Sequence, residues 1–142
     1  MTMRLLGLDV GEKRIGIAQS DLLGLTAQPL ETYSSRGMKQ DIFYLTELAK
    51  CREAGAFVCG LPINMNGTEG PRAEKTRAFA AALEKESGIK VLLVDERMTT
   101  VSATRILLEG NVSREKRKKV VDKLAAVQIL QTYLDMMRNK GE

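Results

Sequence analysis

The stretch that decides the fold is Arg4-Leu-Leu-Gly-Leu-Asp-Val-Gly-Glu-Lys-Arg-Ile-Gly-Ile-Ala18. Two apolar runs, residues 4–9 and 14–19, flank the polar turn Gly11-Glu-Lys13, and this pattern predicts an antiparallel hairpin. Asp9 lies inside the first run, where an ionised carboxylate is costly unless it is paired. A bound cation is the partner that best suits an enzyme, so the sequence must be searched for further carboxylates.

Beyond the hairpin, hydrophobic periodicity predicts one more strand and then alternating helices and strands. The further predicted elements are a strand at 27–33, a helix from 37 to about 54, a strand at 56–61, a helix from 71 to about 87, a strand at 90–94, a helix from 99 or 100 to near 110, and a helix from 120 to about 137. We therefore expect an α/β fold with a mixed five-stranded sheet, its first three strands antiparallel and helices on both faces. The length of 142 residues favours one domain over residues 1–142.

Composition narrows the possible chemistry. The chain has no histidine, which excludes Ser-His and Cys-His nucleophile systems and any histidine-bearing zinc site. Cys51 and Cys59 lack CxxC spacing and are expected to be reduced structural residues. No apolar run approaches the roughly 18 residues of a membrane span, and the start of the chain does not resemble a signal peptide. We therefore expect a cytoplasmic protein with no membrane partner.

A basic segment precedes the last predicted helix. Its cations are Arg114, Lys116, Arg117, Lys118, Lys119 and Lys123. Such a patch attracts phosphate backbones through counterion release, which predicts nucleic-acid binding. The alternative is a solvated helix start, although cations near a helix N-terminus oppose the helix dipole.

Asp122 is a second unusual carboxylate. It shares a helical face with Ala125, Ala126 and Ile129, which places it on the side that packs. Small alanines allow a helix to approach a sheet closely, so we expect Asp122 to lie near the strand of Asp9. The alternative is an acidic first-turn residue that simply favours the helix dipole.

The third carboxylate follows the strand predicted at 90–94, at the edge where ligands collect in open α/β sheets. Asp95 and Glu96 point to opposite faces there, and we favour Glu96 as the partner of Asp9, with Asp95 capping or pairing with Arg97. A solubilising pair at the strand end is the alternative. Three converging carboxylates without histidine suit Mg²⁺ or Mn²⁺ in a site that hydrolyses phosphodiesters.

Several motifs together identify a family resemblance. They are Gly7-Leu-Asp-Val-Gly with Lys13-Arg-Ile-Gly16, Gly60-Leu-Pro62 with Asn66-Gly67, Asp95-Glu-Arg with Thr99-Thr100, and Val121-Asp-Lys-Leu-Ala-Ala126 with Ile129-Leu-Gln131. In this order, over residues 5 to about 134, they resemble the bacterial YqgF family. The resemblance implies an RNase H-like fold related to Holliday junction resolvases, and a nuclease that processes the 5′ end of pre-16S rRNA. It also implies that Asp9, Glu96 and Asp122 are catalytic and hold the metals.

Lys13, Arg14 and Arg97 fall in the same motifs and are expected to contact phosphate, the alternative being a charged turn and carboxylate partners. Residues 64–70 could close over RNA or form a plain connector. The leading hypothesis is a metal-dependent endonuclease acting on structured RNA in ribosome biogenesis. The alternatives are a junction-resolving DNA nuclease, a binding module with little activity, and an ATPase half-domain, which the chain length disfavours. The sequence leaves the oligomeric state open.

Overall fold

The computed structural model describes residues 3–99 and 114–141, with side chains described for 3–99 and 118–140. The elements are β1 Arg4–Val10, β2 Arg14–Ser20, β3 Ala27–Ser34, α1 Met38–Cys51, β4 Ala54–Leu61, α2 Pro71–Ser87, β5 Lys90–Asp95, a 3₁₀ turn Glu96–Met98, and α3 Arg114–Gly141. The predicted helix from 99 or 100 to near 110 lies almost wholly outside the described residues. None of the helices in the described part of the chain has the length and apolar character needed to cross a bilayer.

The five strands form one mixed sheet in the order β3-β2-β1-β4-β5. β1 pairs antiparallel with β2, and β2 pairs antiparallel with β3. On the other side, β1 pairs parallel with β4, and β4 pairs parallel with β5. The mixed sheet predicted from the hairpin and the later strand-helix units is confirmed.

Alternating residues of β1 divide the core between the two faces of the sheet, as a period of two requires. Leu6 and Leu8 belong to a buried cluster that includes residues of α1 and α2. Leu5 belongs to a second cluster, built with Ala126 and Leu130 of α3. Helices therefore cover both faces, with α1 and α2 on one side and α3 on the other.

Glycines in the central strands allow α3 to lie very close to the sheet. A Cβ built on Gly7 would stand 2.7 Å from Leu130 Cβ and 2.9 Å from the backbone oxygen of Ala126. Both distances are too short for a side chain, so the helix occupies the space that one would need. Ala125 and Ala126 are buried at this contact, as the small-residue face of the helix predicted.

Three helix boundaries differ from the predictions, one of them the end of the last helix, which lies at Gly141 rather than near residue 137. The first helix ends at Cys51 rather than near residue 54, because the chain turns through Arg52 and through Glu53, whose φ is +55°. β4 consequently begins at Ala54, two residues early. The last helix begins at Arg114 rather than at residue 120. Its added turns contain mostly Arg, Lys and Glu, which are good helix formers, so the polar connection expected there is helical instead.

Candidate active site

Asp9 lies in the middle of the sheet, on the face that α3 covers. Its cross-strand partner in β2 is Gly16. Asp9 is buried, with 5% of its surface exposed. On its other side Leu8 pairs with Cys59 of β4, so the next position along each strand places Gly60 beside Asp9. The carboxylate is thus flanked on both sides by residues that lack a side chain. We call these three positions the Gly16–Asp9–Gly60 row.

Asp122 lies over one of the two glycines. A Cβ on Gly16 would stand only 1.9 Å from the backbone oxygen of Asp122, so the helix backbone rests directly on the strand. The Asp122 carboxylate accepts a hydrogen bond of 2.8 Å from Arg14 Nε, which also makes it an ion pair. The two side chains are 17% and 26% exposed. Asp122 therefore lies next to the row, with its charge already offset by Arg14.

Glu96 lies over the other glycine. A Cβ on Gly60 would stand 3.1 Å from Glu96 Cγ and 2.5 Å from Ile129 Cδ1. Burial, and then the negative charges of Asp9 and Glu96, raise the pKa of the Cys59 thiol well above its usual range. The geometry that joins the two carboxylates is their common neighbour Gly60, which lies beside Asp9 in the sheet and under Glu96.

The structure brings the three predicted acids to one region without closing them into a cluster. Asp9 and Glu96 both lie next to Gly60, whereas the carboxylate of Asp122 is bound to Arg14. Among the residues that the structure describes, no three acidic or cysteine side chains are grouped tightly enough to hold a metal ion. The assignment of these residues as catalytic metal ligands thus stays a prediction, which the shared sheet face supports.

Asp95 has a different partner, as the sequence led us to expect. Its Oδ1 accepts a hydrogen bond of 2.9 Å from the backbone N–H of Arg97, and its Oδ2 accepts one of 2.7 Å from Arg97 Nη2. The Arg97 guanidinium holds the pKa of Asp95 below its usual range. Asp95 therefore caps the 3₁₀ turn that begins at Glu96. Arg97 also approaches residues 64–70, since its Nη1 would lie 3.7 Å from a Cβ on Gly67.

The predicted phosphate contacts lie around this edge of the sheet. Lys13 is exposed at the β1–β2 turn, and its carbonyl accepts a hydrogen bond from Ser35 N. Lys118 and Lys119 are exposed in α3, about one turn before Asp122. Thr32 Oγ1 donates a 2.7 Å hydrogen bond to the Lys119 carbonyl, which fixes this part of the helix to β3. The side chains of residues 114–117, which include the other basic positions predicted there, lie outside those described.

Residues 64–70 form a connection held by its own hydrogen bonds. Asn64 N donates to the Thr68 carbonyl at 2.9 Å, and Gly67 N donates to the Asn64 carbonyl at 2.8 Å. Glu69 accepts two hydrogen bonds of 2.7 Å from Arg77 of α2, which lower its pKa. The connection is therefore anchored to α2 next to the candidate site.

Sequence reasoning missed Gly16 and Gly60 as parts of the site. The usable signal was present, because a glycine inside an apolar strand often marks a close approach of another backbone. The identity of the approaching group could not be known without the crossing of α3 and the position of the 3₁₀ turn.

Solved structures define the class of this fold. Thermus thermophilus RuvC in complex with a Holliday junction substrate superposes with a TM-score of 0.60 at 13% identity, covering 94% of this chain and 96% of that chain. The yeast mitochondrial Holliday junction resolvase Ydc2 superposes with a TM-score of 0.54 at 13% identity, covering 98% and 83%. The fold is therefore the RNase H-like fold of the RuvC-type resolvases, as the resemblance implied.

Sequence comparisons then give the family. The family model described as "RuvX: Holliday junction resolvase" matches residues 3–136. Proteins from Symbiobacterium thermophilum and Clostridioides difficile, both named "Putative pre-16S rRNA nuclease", are 56% and 54% identical to this chain. The first alignment covers 94% of this chain and 92% of the relative, and the second covers 96% of each. The chain belongs to the RuvX family, also called YqgF, which confirms the resemblance seen in its motifs.

Proposed function

We propose that this protein is a metal-dependent endonuclease that hydrolyses phosphodiester bonds at the 5′ end of pre-16S rRNA. The names of relatives more than 50% identical over nearly the whole chain support this substrate. The observation that carries the proposed activity is the buried Asp9, placed between Gly16 and Gly60 with a further acid over each glycine. A protein that only bound phosphate would gain nothing from negative charge in this position.

The donor chemistry fits Mg²⁺ or Mn²⁺, because the candidate ligands are carboxylate oxygens and the chain has no histidine. Asp9, Glu96 and Asp122 would hold the ion or ions. When bound, such an ion polarises the phosphoryl group and lowers the pKa of an attacking water.

The protein's own residues would prepare the substrate. Arg14 balances the charge of Asp122, and the same guanidinium lies where a phosphate beside the row would need a cation. Lys118 lies one helical turn before Asp122 on the same face, so it can hold a neighbouring phosphate. The burial of Asp9 keeps its own charge weakly screened by water, whereas Lys118 is exposed to solvent.

Branched DNA is the second candidate substrate. The RuvX model is described as a Holliday junction resolvase, and the Thermus RuvC structure contains a Holliday junction substrate. Phosphate contacts alone do not separate RNA from DNA. We favour the ribosomal precursor because the more similar relatives carry that name. The proposed substrate supports a cytoplasmic location.

The decisive experiment measures cleavage of a pre-16S rRNA fragment and of a four-way DNA junction, with Mg²⁺ or Mn²⁺, by the wild type and by Asp9→Asn. We expect Asp9→Asn to lower the rate roughly a hundredfold or more, since several kcal/mol of transition-state stabilisation depend on the ligand. Equal rates for the two proteins would refute the catalytic assignment.

A matched pair separates the two acids at the end of β5. Glu96→Gln should lose cleavage, whereas Asp95→Asn should keep most of it, because Asp95 serves Arg97. The opposite result would show that Asp95, and not Glu96, is the catalytic acid.

A further inference from the structure

A second concave surface lies on the other face of the sheet, close to the candidate active site. It is a cavity of about 590 Å³ between the β1–β2 turn, the start of α1 and the first turns of α2. Its volume falls in the range of small-ligand sites. Val10, which follows Asp9 directly in β1, is one of its lining residues. The two sites are therefore adjacent along the chain, with Asp9 on one face of the sheet and Val10 on the other.

The floor of this cavity is apolar. Ile15 and Phe79 line it and belong to the buried core, with exposed fractions of 1% and 6%. Val10 packs against the same cluster. Because Ile15 and Phe79 are already buried, the apolar surface open to a flat group such as a nucleobase is that of half-buried Val10 and of Met38, which also lines the cavity and is 49% exposed.

The rim of the cavity carries two cations. Arg72 and Lys75 of α2 line it, and within the described residues neither forms an ion pair. Their neighbour Arg77 is engaged by Glu69. Cations in the first turns of a helix oppose its dipole, so these two gain from an anion supplied by a ligand.

Two carboxylates also line the cavity, and their roles differ. Asp41 is committed to the protein, since it accepts hydrogen bonds from Ser35 Oγ and from the Arg36 backbone N–H. Glu12 is exposed at the turn. A carboxylate there can accept hydrogen bonds from the amino or imino groups of a base. The cavity therefore has an acceptor for a base and cations for a phosphate.

We infer that this cavity binds one unstacked nucleotide of the substrate strand, with its base on Val10 and Met38 and its phosphate on Arg72 and Lys75. The strand would pass over the β1–β2 turn to reach Asp9. Unstacked bases in single-stranded segments are the usual targets of RNA recognition. This inference rests on the proposed function, which supplies the nucleic acid.

The test measures binding of a fluorescein-labelled single-stranded RNA decamer by anisotropy, without divalent metal so that the strand stays intact. Ala78 lines the cavity, whereas Ala81 is exposed elsewhere on α2. We expect Ala78→Phe, which fills the cavity, to weaken binding about tenfold, the value of one lost base contact. Ala81→Phe is the matched control and should bind like the wild type. Equal binding by both variants would overturn the inference.

The charge contribution is tested in the same assay. Arg72→Gln with Lys75→Gln should weaken binding and reduce its salt dependence, whereas Lys85→Gln at the far end of α2 should leave both unchanged. A salt dependence equal to that of the wild type in the double variant would remove these cations from the site.

Two further binding measurements identify the ligand. Replacing one nucleotide of the decamer by an abasic unit should weaken binding about tenfold at one position and little elsewhere. A mononucleotide should compete only at far higher concentration than the decamer; competition at equal concentration would assign the cavity to a free nucleotide and overturn the strand contact.

A measurement on the wild type tests the cavity without any variant that could misfold. Methyl NMR signals of Val10 and Ile15 should shift when the decamer is added, and unchanged signals would contradict the inference. If Asp9→Asn cleaves like the wild type, the proposed function fails while the binding data still decide the cavity. If Asp9→Asn loses cleavage but Ala78→Phe binds RNA like the wild type, the cavity inference is refuted and the proposed nuclease function stands.

Discussion

At the scale of single residues, Gly16 and Gly60 matter as much as the charged groups. Both are approached by parts of the molecule that must stay in place, a helix backbone in one case and the Glu96 side chain in the other. A helix backbone cannot shift alone, whereas a side chain can change its conformation. Substitutions at the two glycines should therefore have different effects.

We expect Gly16→Ala to destabilise the fold by about 1–3 kcal/mol or more, because its Cβ would stand 1.9 Å from a backbone oxygen that cannot move alone. Gly55→Ala is the control, since its Cβ would meet only the Met3 side chain, which is half exposed. Urea unfolding measures both. A Gly16→Ala protein as stable as Gly55→Ala would show that α3 does not rest on β2.

Gly60→Ala should reduce both stability and cleavage, because a new Cβ would stand 2.5 Å from Cδ1 of the buried Ile129 and 3.1 Å from Glu96 Cγ. A displacement of about 1 Å in a catalytic group can cost a hundredfold in rate. Adding Ile129→Val removes the Cδ1 contact while keeping the one to Glu96. The double variant should regain stability without regaining cleavage, and recovery of both would trace the defect to the core instead.

The sequence was informative about individual acids and less so about their surroundings. Asp9 and Asp122 could be predicted as site residues because a carboxylate on an apolar face is unusual in any fold. The pairing of Asp95 with Arg97 was also foreseen. The ion pair of Arg14 with Asp122 was not, because the two residues are 108 positions apart and meet only when α3 crosses β2.

At the scale of elements, α1 is held to β3 by an aromatic contact. Tyr33 and Tyr44 stack with their ring centres 4.2 Å apart, and Tyr44 OH donates a hydrogen bond to Glu31. Burial and the Glu31 carboxylate raise the pKa of Tyr44 to about 12. The contact thus depends on a protonated phenol.

This shift makes the stability of the fold sensitive to alkali. The raised pKa means that the folded state holds the Tyr44 proton after the unfolded chain has lost it, so the stability is present below pH 10 and is lost as the pH rises toward 12. Tyr44→Phe should lose less stability than the wild type over that interval. Parallel pH dependence of unfolding in the two proteins would contradict this assignment.

Element boundaries were predicted well where local chemistry marks them. Pro71 and Gly88 bracket α2 as expected, since proline suits a first turn and Gly88 adopts a left-handed φ of 73°. No such residue marks the end of α1. Ser113, a residue type common at N-caps, directly precedes α3, but the start was predicted at residue 120, so both boundaries were wrong. The register between strands depends on contacts distant in sequence, which local patterns do not contain.

At the scale of the whole molecule, basic groups lie near the carboxyl end of the central strand β1, which contains Asp9. We expect Lys118→Glu with Lys119→Glu to weaken RNA binding most at low salt, because exposed charges act through a screened field. Lys85→Glu with Lys140→Glu makes the same change in net charge at distant positions. If both double variants bind alike across a salt titration, the effect is due to overall charge and the α3 lysines are not a contact.

If Lys118 holds a phosphate and Asp122 a metal, as proposed above, the single helix α3 has a geometric consequence for the reaction. It contains both Lys118 and Asp122, and a rise of about 1.5 Å per residue separates them by about 6 Å along the helix axis. A continuous helix does not stretch, so it serves as a spacer of fixed length. A phosphate held at Lys118 would therefore fix the cut at a constant number of nucleotides away, whatever the base sequence between them.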